Sequence, residues 1–230
     1  MSRFLDQFDV ILLDMCGTFM FGHDRLGPDE DYYATYRALG GRRLDPTTLT
    51  AIVRTTADAL VRLYNTPSHF DDFPSVREAF QAHGGAAEQD LEVLERLYTS
   101  HEIGQVPLEH QAFIAQVART HRLGVVSNIC AHPDLWLSRF DDSGVFRQFE
   151  VLTFSSEGRT IKPSARFFAR ALGQFPAHAK FLFAGDSLER DIIPAKGLGL
   201  ETAWIAPPGS RHPAADRVVT SLPDLAELPS

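Results

Sequence analysis

Two hydrophobic rhythms alternate along the chain. Short, mostly apolar runs occupy residues 8–13, 125–127, 149–154, 180–184 and 202–205, with Val218 and Val219 as a brief further one. Runs of this length, ending in polar residues or glycine, read as buried strands. Between them the apolar positions fall at helical spacing. Residues 107–121 read as an amphipathic helix that Gly124 ends, and helices follow at 134–140, 163–172 and 191–198, with a terminal turn at 222–228. Pro194 requires the 191–198 helix to begin close before it, because a proline in a helix interior costs about 3 kcal/mol. Strand and helix in alternation predict an α/β fold, a Rossmann-like, doubly wound parallel sheet.

Residues 28–105 break the alternation, because their signals are helical only. Pro28 and the acids around it mark a helix start. Tyr32, Tyr33, Tyr36 and Leu39 share a face that Gly40 and Gly41 close, and Asp45 with Pro46 opens a second helix. Residues 75–83 and 86–101 supply two more, the last with Leu91, Leu94 and Leu97 turned inward. The chain is therefore expected to divide into an α/β core, residues 1–24 and 106–230, and an inserted α-helical cap domain, residues 25–105. Residues 66–74, TPSHFDDFP, form a loop within the cap.

The candidate chemistry starts at residues 11–18, ILLDMCGT, where the first strand runs straight into Asp14. Ligands of open α/β sheets bind beyond the carboxyl ends of the strands. Asp14 is thus a candidate nucleophile, although an Asp in this position is also a common helix cap. Three further stretches end in polar residues: VVSN at 125–128, IKP at 161–163 and FAGDSLERD at 183–191.

Taken in order, these four stretches resemble the motifs of the haloacid dehalogenase (HAD) superfamily. Its phosphatases carry D-x-D-G-T after the first strand, a Ser or Thr ending the second, a Lys before a helix, and G-D-S with a further Asp. Those positions are here Asp14, Ser127, Lys162, and Asp186 with Asp191. The resemblance implies a HAD core with a helical cap and a Mg²⁺-dependent phosphohydrolase working through an Asp14 phosphoenzyme. It implies that Mg²⁺ is held by Asp14, Asp186 and the Cys16 backbone carbonyl, with Asp191 a ligand through water or an orienter. Ser127 would hold phosphoryl oxygens, and Lys162 would neutralise charge and pair with Asp14. Thr18, Asn128 and His69 are placed with the substrate, His69 together with Asp71 and Asp72 on the cap loop.

Cys16 departs from the pattern, standing where phosphatases carry the second Asp. That Asp protonates the leaving group and then activates water, and its loss typically costs about 10²–10⁴-fold. A thiol, with an ordinary pKa of about 8.5, is a poorer shuttle, and His23 and His69 are candidate replacements. The alternatives are carbon–halogen hydrolysis, as in dehalogenases, and a catalytically impaired relative that binds phosphorylated ligands. The Asp186 and Asp191 pair argues against dehalogenation, because dehalogenases lack it. Phosphonatase chemistry fails on composition. It needs a cap lysine, and the only lysines are Lys162, Lys180 and Lys196.

Composition narrows the partners. A net charge of −8 over 230 residues disfavours a nucleic-acid surface. No apolar run approaches the roughly 20 residues that span a membrane, and an early charge argues against a signal peptide. Cys16 and Cys130 make no disulfide framework. The expectation is a cytoplasmic monomer or homodimer acting on a small phosphorylated metabolite. Phe19 and Phe21 are candidates for a dry pocket wall or for packing at the domain hinge.

Overall fold

The computed structural model describes residues 4–140 and 144–229. The strands β1 (Val10–Leu13), β2 (Arg122–Ser127), β3 (Val151–Phe154), β4 (Phe181–Gly185), β5 (Glu201–Ile205) and β6 (Arg217–Val219) form one parallel sheet in the order β3-β2-β1-β4-β5-β6. The order reverses at β1, so the crevice for a ligand opens at its carboxyl end. Leu13 pairs with Val125 on one side and Ala184 on the other. This register brings Asp14, Ser127 and Asp186 to the same sheet edge.

Every residue of β1 is buried, and alternate side chains serve opposite layers. Ile11 and Leu13 pack with Leu123, Val125, Phe113 and Ile114, whereas Val10 and Leu12 pack with Phe167, Phe168, Phe183 and Ala195. The helices are α1 (Tyr32–Ala38), α2 (Pro46–Tyr64), α3 (Val76–Ala79), α4 (Leu91–Glu102), α5 (Leu108–Val117), α6 (Pro133–Phe140), α7 (Ala165–Leu172) and α8 (Ile193–Gly197). Helices α1 to α4 lie between β1 and α5 in the chain. Their apolar residues Leu49, Val53, Leu91 and Leu94 continue the cluster that holds Ile11 and Leu13.

Local chemistry explains most boundaries. Asp45 caps α2 by accepting from the Thr47 and Thr48 amides, with Pro46 next. Pro194 is the second residue of α8, which follows directly on a π-helical turn at Leu188–Ile192. Two sequence expectations shift. Helix α1 starts at Tyr32 with Asp31 as its cap, and the Tyr32 hydroxyl donates to the Gly27 carbonyl at 2.7 Å, which holds Pro28 outside the helix. Gly124 does not end α5, which stops at Val117; it lies inside β2. A Cβ there would stand 2.7 Å from Leu12 Cδ2 and against the Phe175 ring, so packing against the neighbouring strand is what this glycine serves.

The inserted helices are tied to the sheet at two places. Residues 21–25 and 101–105 run antiparallel, with Phe21 and Gln105 exchanging both backbone bonds at 2.9 and 2.8 Å. On the far side, the Phe73 amide donates to the Arg159 carbonyl and the Ile161 amide to the Phe70 carbonyl. Arg159 also binds Asp72 and Glu78, each at 2.7 Å. Among the described residues no helix is long and apolar enough to cross a membrane.

The fit between Leu12 and Gly124 gives a test. Gly124→Ala should destabilise by about 1–3 kcal/mol through overpacking, and Leu12→Ala by about 2–5 kcal/mol through the cavity it leaves. In the double variant the new methyl occupies part of that cavity. Urea denaturation should therefore show a combined cost below the sum of the two; strict additivity would mean that the two side chains do not meet.

Candidate active site

Asp14 follows β1 and is 4% exposed. Its amide donates to the Ala184 carbonyl at 2.9 Å, which fixes the main chain to β4. Three side chains converge on its carboxylate. Lys162 Nζ donates to Oδ1 at 2.5 Å, Ser127 Oγ to Oδ1 at 3.3 Å and Thr18 Oγ1 to Oδ2 at 3.1 Å. Lys162 Nζ also donates to Asp191 Oδ1 at 2.6 Å, and Asp191 Oδ2 accepts the Ser187 amide at 3.1 Å. Burial works to neutralise this ammonium, but the carboxylates of Asp14 and Asp191 override it and hold its proton well above the ordinary lysine range.

Asp186 completes an acidic group. One carboxylate oxygen from each of Asp14, Asp186 and Asp191 lies within 4.8 Å of the others. Asp186 is exposed at the rim, yet it is crowded by protein. Burial and then Asp14 push its carboxyl up to about 6, against the pull of Lys162 and His23. Two glycines make the arrangement possible. Gly17 turns at φ +82°, and a Cβ on it would collide with the Asp186 carboxylate; a Cβ on Gly185 would collide with that of Asp191. Three carboxylates against one ammonium leave excess negative charge beside hard oxygen donors. That donor set fits a divalent cation such as Mg²⁺.

These groups lie at the base of a cavity of about 610 Å³. Its floor includes Asp14, Cys16, Asn128, Lys162 and Asp186, and its roof is formed by Arg54, Ala57, Leu60, Phe73 and Tyr98 of the inserted segment. Cys16 lines this space. Burial first, then Asp14, Asp24 and Glu102, push its thiol well above the ordinary thiol range, so Cys16 keeps its proton. Asn128 Oδ1 accepts the Lys162 amide at 2.8 Å, while Nδ2 donates to the Tyr64 hydroxyl and the Lys162 carbonyl.

The sequence-derived residues separate into groups. Asp14, Cys16, Asn128, Lys162, Asp186 and Asp191 all reach the cavity wall. Ser127 and Thr18 are fully buried and hold Asp14 from behind; neither lines the cavity. His69 lies in a 3-10 turn, Pro67–His69, and does not line the cavity either. Asp71 and Asp72 serve the tie between the layers, Asp71 accepting from Ser164 Oγ at 2.5 Å and Asp72 from Arg159. Phe19 is wholly buried and stacks on Phe149, whereas Phe21 packs edge-on to His110 beside the chain crossing, the packing role.

Two residues were not singled out by the sequence. Arg190 stacks 3.5 Å from the Tyr64 ring centre and donates to the Lys162 and Tyr64 carbonyls, each at 2.6 Å. Its one sequence signal is its place between Asp186 and Asp191. Glu102 ends α4, is 3% exposed, and accepts from the Cys130 amide at 2.6 Å, the Ala131 amide at 3.2 Å and Trp136 Nε1 at 2.8 Å. Burial pushes its carboxyl up to about 7, with Asp24 adding to the push and those donors opposing it. Nothing in the sequence around Glu102 marks it.

Comparison with known proteins adds the following. No family profile matches the chain. Among curated proteins, it is similar to the pyrimidine 5'-nucleotidase YjjG of Escherichia coli (strain K12), 30% identical over 112 residues, 46% of this chain and 49% of that protein. The chain thus matches about half the length of that relative. Among solved structures, it is similar to a 2-haloacid dehalogenase from Pseudomonas syringae pv. Tomato DC3000 (TM-score 0.66, 21% identity, 96% of this chain and 97% of the other). A HAD phosphatase from Thermococcus onnurineus gives a TM-score of 0.61 at 21% identity over 95% and 96% of the two chains. The magnesium-bound YfnB of Bacillus subtilis gives 0.60 at 19% identity over 98% of both. These structures share the fold and include both phosphatases and dehalogenases.

Two stability tests follow from the buried charges. Lys162→Met leaves Asp14 and Asp191 without their cation, and should cost about 3–5 kcal/mol in urea denaturation. Adding Asp191→Asn should recover part of that loss; no recovery would mean that the two acids do not compete for the same ammonium. For Glu102, the unfolded chain releases the proton near 4.5 and the folded chain near 7. Between those values the folded state holds more protons, so this group's contribution to stability falls as pH rises from about 4.5 to about 7. Against Glu102→Gln, which does not titrate, the wild type should lose stability across that window. A constant difference would place the Glu102 pKa at its ordinary value.

Proposed function

Because the chain has the fold of the haloacid dehalogenase (HAD) superfamily, we propose that it is a hydrolase of that kind, a Mg²⁺-dependent phosphohydrolase acting on a small phosphorylated metabolite. The observation that carries this reading is the grouping of Asp186 and Asp191 with Asp14 around Lys162. A carboxylate that attacks carbon needs no such acidic group. A carboxylate that attacks a phosphoryl dianion needs the repulsion between anions removed, and a bound Mg²⁺ would supply that charge. Asp14, Asp186 and the Cys16 carbonyl would hold the ion. Asp191, with both oxygens already engaged, orients Lys162 instead.

Asp14 Oδ2 then bonds to phosphorus as the bond from phosphorus to the leaving oxygen breaks, giving an aspartyl phosphate that water hydrolyses. Lys162 and Ser127 hold Oδ1, whereas Oδ2 carries only the Thr18 hydroxyl, the weaker hold on the attacking oxygen. The inserted segment acts as a cap, entered near residue 25 and left near residue 105. A cavity of about 610 Å³ suits a small metabolite, and the cap residues Arg54, Phe73 and Tyr98 would select it. The resemblance to a pyrimidine 5'-nucleotidase supports a phosphate ester as substrate class. Two free thiols accord with a cytoplasmic protein.

The test is a rapid-mixing time course with p-nitrophenyl phosphate, whose leaving group scarcely needs a general acid. Nitrophenol should appear in a Mg²⁺-dependent burst near one per site, and Asp14→Asn should abolish it. Release that survives Asp14→Asn, or that ignores Mg²⁺, would refute the assignment and return the weight to carbon–halogen hydrolysis or to ligand binding without turnover.

A further inference from the structure

The phosphohydrolase reading leaves one task without a carboxyl group, since residue 16, two positions after Asp14, is a cysteine. The cavity contains a group suited to that task. His23 lies on the segment between β1 and α1 and lines the cavity with Asp14, Cys16 and Asp186. Its Nδ1 is buried and has no hydrogen-bond partner among the described residues. Its Nε2 faces Asp24 Oδ2 at 3.8 Å. Asp24 stands at φ +53°, in the left-handed region that Asp adopts more readily than most residues. The Asp24 amide is fixed to the Glu102 carbonyl at 3.1 Å. An imidazole on the cavity wall, with a carboxylate beside one nitrogen and no partner on the other, has the parts of a general base and its positioning group.

Resting on that phosphohydrolase reading, we propose that His23 transfers the protons in place of Cys16, with Asp24 as its positioning residue. In the first half-reaction Asp14 bonds to phosphorus, the bond to the leaving oxygen breaks, and the imidazolium gives that oxygen its Nδ1 proton. In the second, neutral Nδ1 takes a proton from water as the water oxygen bonds to phosphorus. The bond between phosphorus and Asp14 breaks, and its electron pair returns to the carboxylate. The two transfers balance, and His23 ends as it began.

Competing groups are otherwise engaged. Glu102 faces the same space with both oxygens occupied by the Cys130, Ala131 and Trp136 donors. His110 also has unpartnered ring nitrogens, but it packs against Phe21 and does not line the cavity. His69 stands outside the lining as well. The acids that interact with His23 are Asp24 on its own segment and Asp186 from the end of β4; Glu102 of α4 lines the same cavity.

The experiment is the p-nitrophenyl phosphate time course with Mg²⁺, run on the wild type, His23→Asn, Asp24→Asn and Asp14→Asn, with acid-quenched phosphoenzyme measured alongside. In His23→Asn the burst should survive. Turnover after it should fall about 10²–10⁴-fold, phosphoenzyme should accumulate, and added imidazole should restore part of the rate, which a merely structural defect would not allow. Asp24→Asn should slow the same phase less. Wild-type turnover in His23→Asn overturns the proposal, as does loss of its burst without imidazole rescue. A wild type that stalls after one nitrophenol per site also overturns it, while leaving phosphoryl transfer to Asp14 intact. A wild type with no Asp14-dependent burst removes the phosphohydrolase reading itself, and this proposal with it.

Discussion

The contact of Lys162 with both Asp14 and Asp191, away from water, is the interaction on which the arrangement of the sheet edge depends. Each buried carboxylate would carry a desolvation cost of several kcal/mol if left alone. One ammonium at 2.5 and 2.6 Å from the two acids offsets much of it. A charge in that role must be placed with little tolerance, and the surrounding polar groups do so. Asn128 binds the Lys162 amide and carbonyl, and Arg190 donates to the same carbonyl. Gly17 and Gly185 remove the side chains that would stand where Asp186 and Asp191 need to be. One ammonium cannot balance three carboxylates, so the edge that satisfies its own buried pair still presents negative charge to a cation from solvent.

The parts of this arrangement that the sequence revealed are those that short-range physics dictates. An apolar run followed by Asp14 or by Gly185-Asp186 reads locally as a buried strand delivering an acid to an edge. Asp45 before Pro46 can hardly be other than a helix start. Long-range partnerships left no such trace. Arg190 matters because its guanidinium lies on the Tyr64 ring, 126 residues away in the chain, and no local pattern encodes that. Glu102 looks like a surface acid at the end of an amphipathic helix until the fold buries it against three donors. Gly124 misleads for the converse reason. A glycine after a helical pattern suggests a helix end, whereas here the tight approach of Leu12 and Phe175 requires it.

The cap loop shows the same limit in a functional setting. His69, Asp71 and Asp72 form an accessible polar cluster that suggested substrate contact. In the folded chain Asp71 and Asp72 bind Ser164 and Arg159, on the segment that carries Lys162. The loop's polarity thus serves the link between the two layers rather than the cavity. This link has a consequence for the site. The inserted helices are joined to the core at the chain crossing and again beside Lys162, so the roof of the cavity and the ammonium at its base share one scaffold. A motion of the roof that broke the contacts of Asp72 with Arg159 would reach the loop that positions Lys162.

Cys16 can then be understood as a change of proton chemistry within a preserved electrostatic frame. Attack by Asp14 depends on the charge and orientation of its carboxylate, and those depend on Lys162, Ser127 and Thr18, none of which involves the residue-16 side chain. Proton transfer depends on a group in the cavity that can both give and take a proton. In this chain the two requirements fall on different segments, the strand end at Asp14 and the chain crossing at His23 and Asp24. That crossing also carries the hydrogen bonds between residues 21–25 and 101–105. A proton-transfer group at such a position is held by the same backbone pairing that sets how the inserted helices stand over the sheet. Closure of the cavity and alignment of the base would therefore be a single structural event, whereas an acid two residues after the nucleophile would be aligned whether or not the cavity was closed.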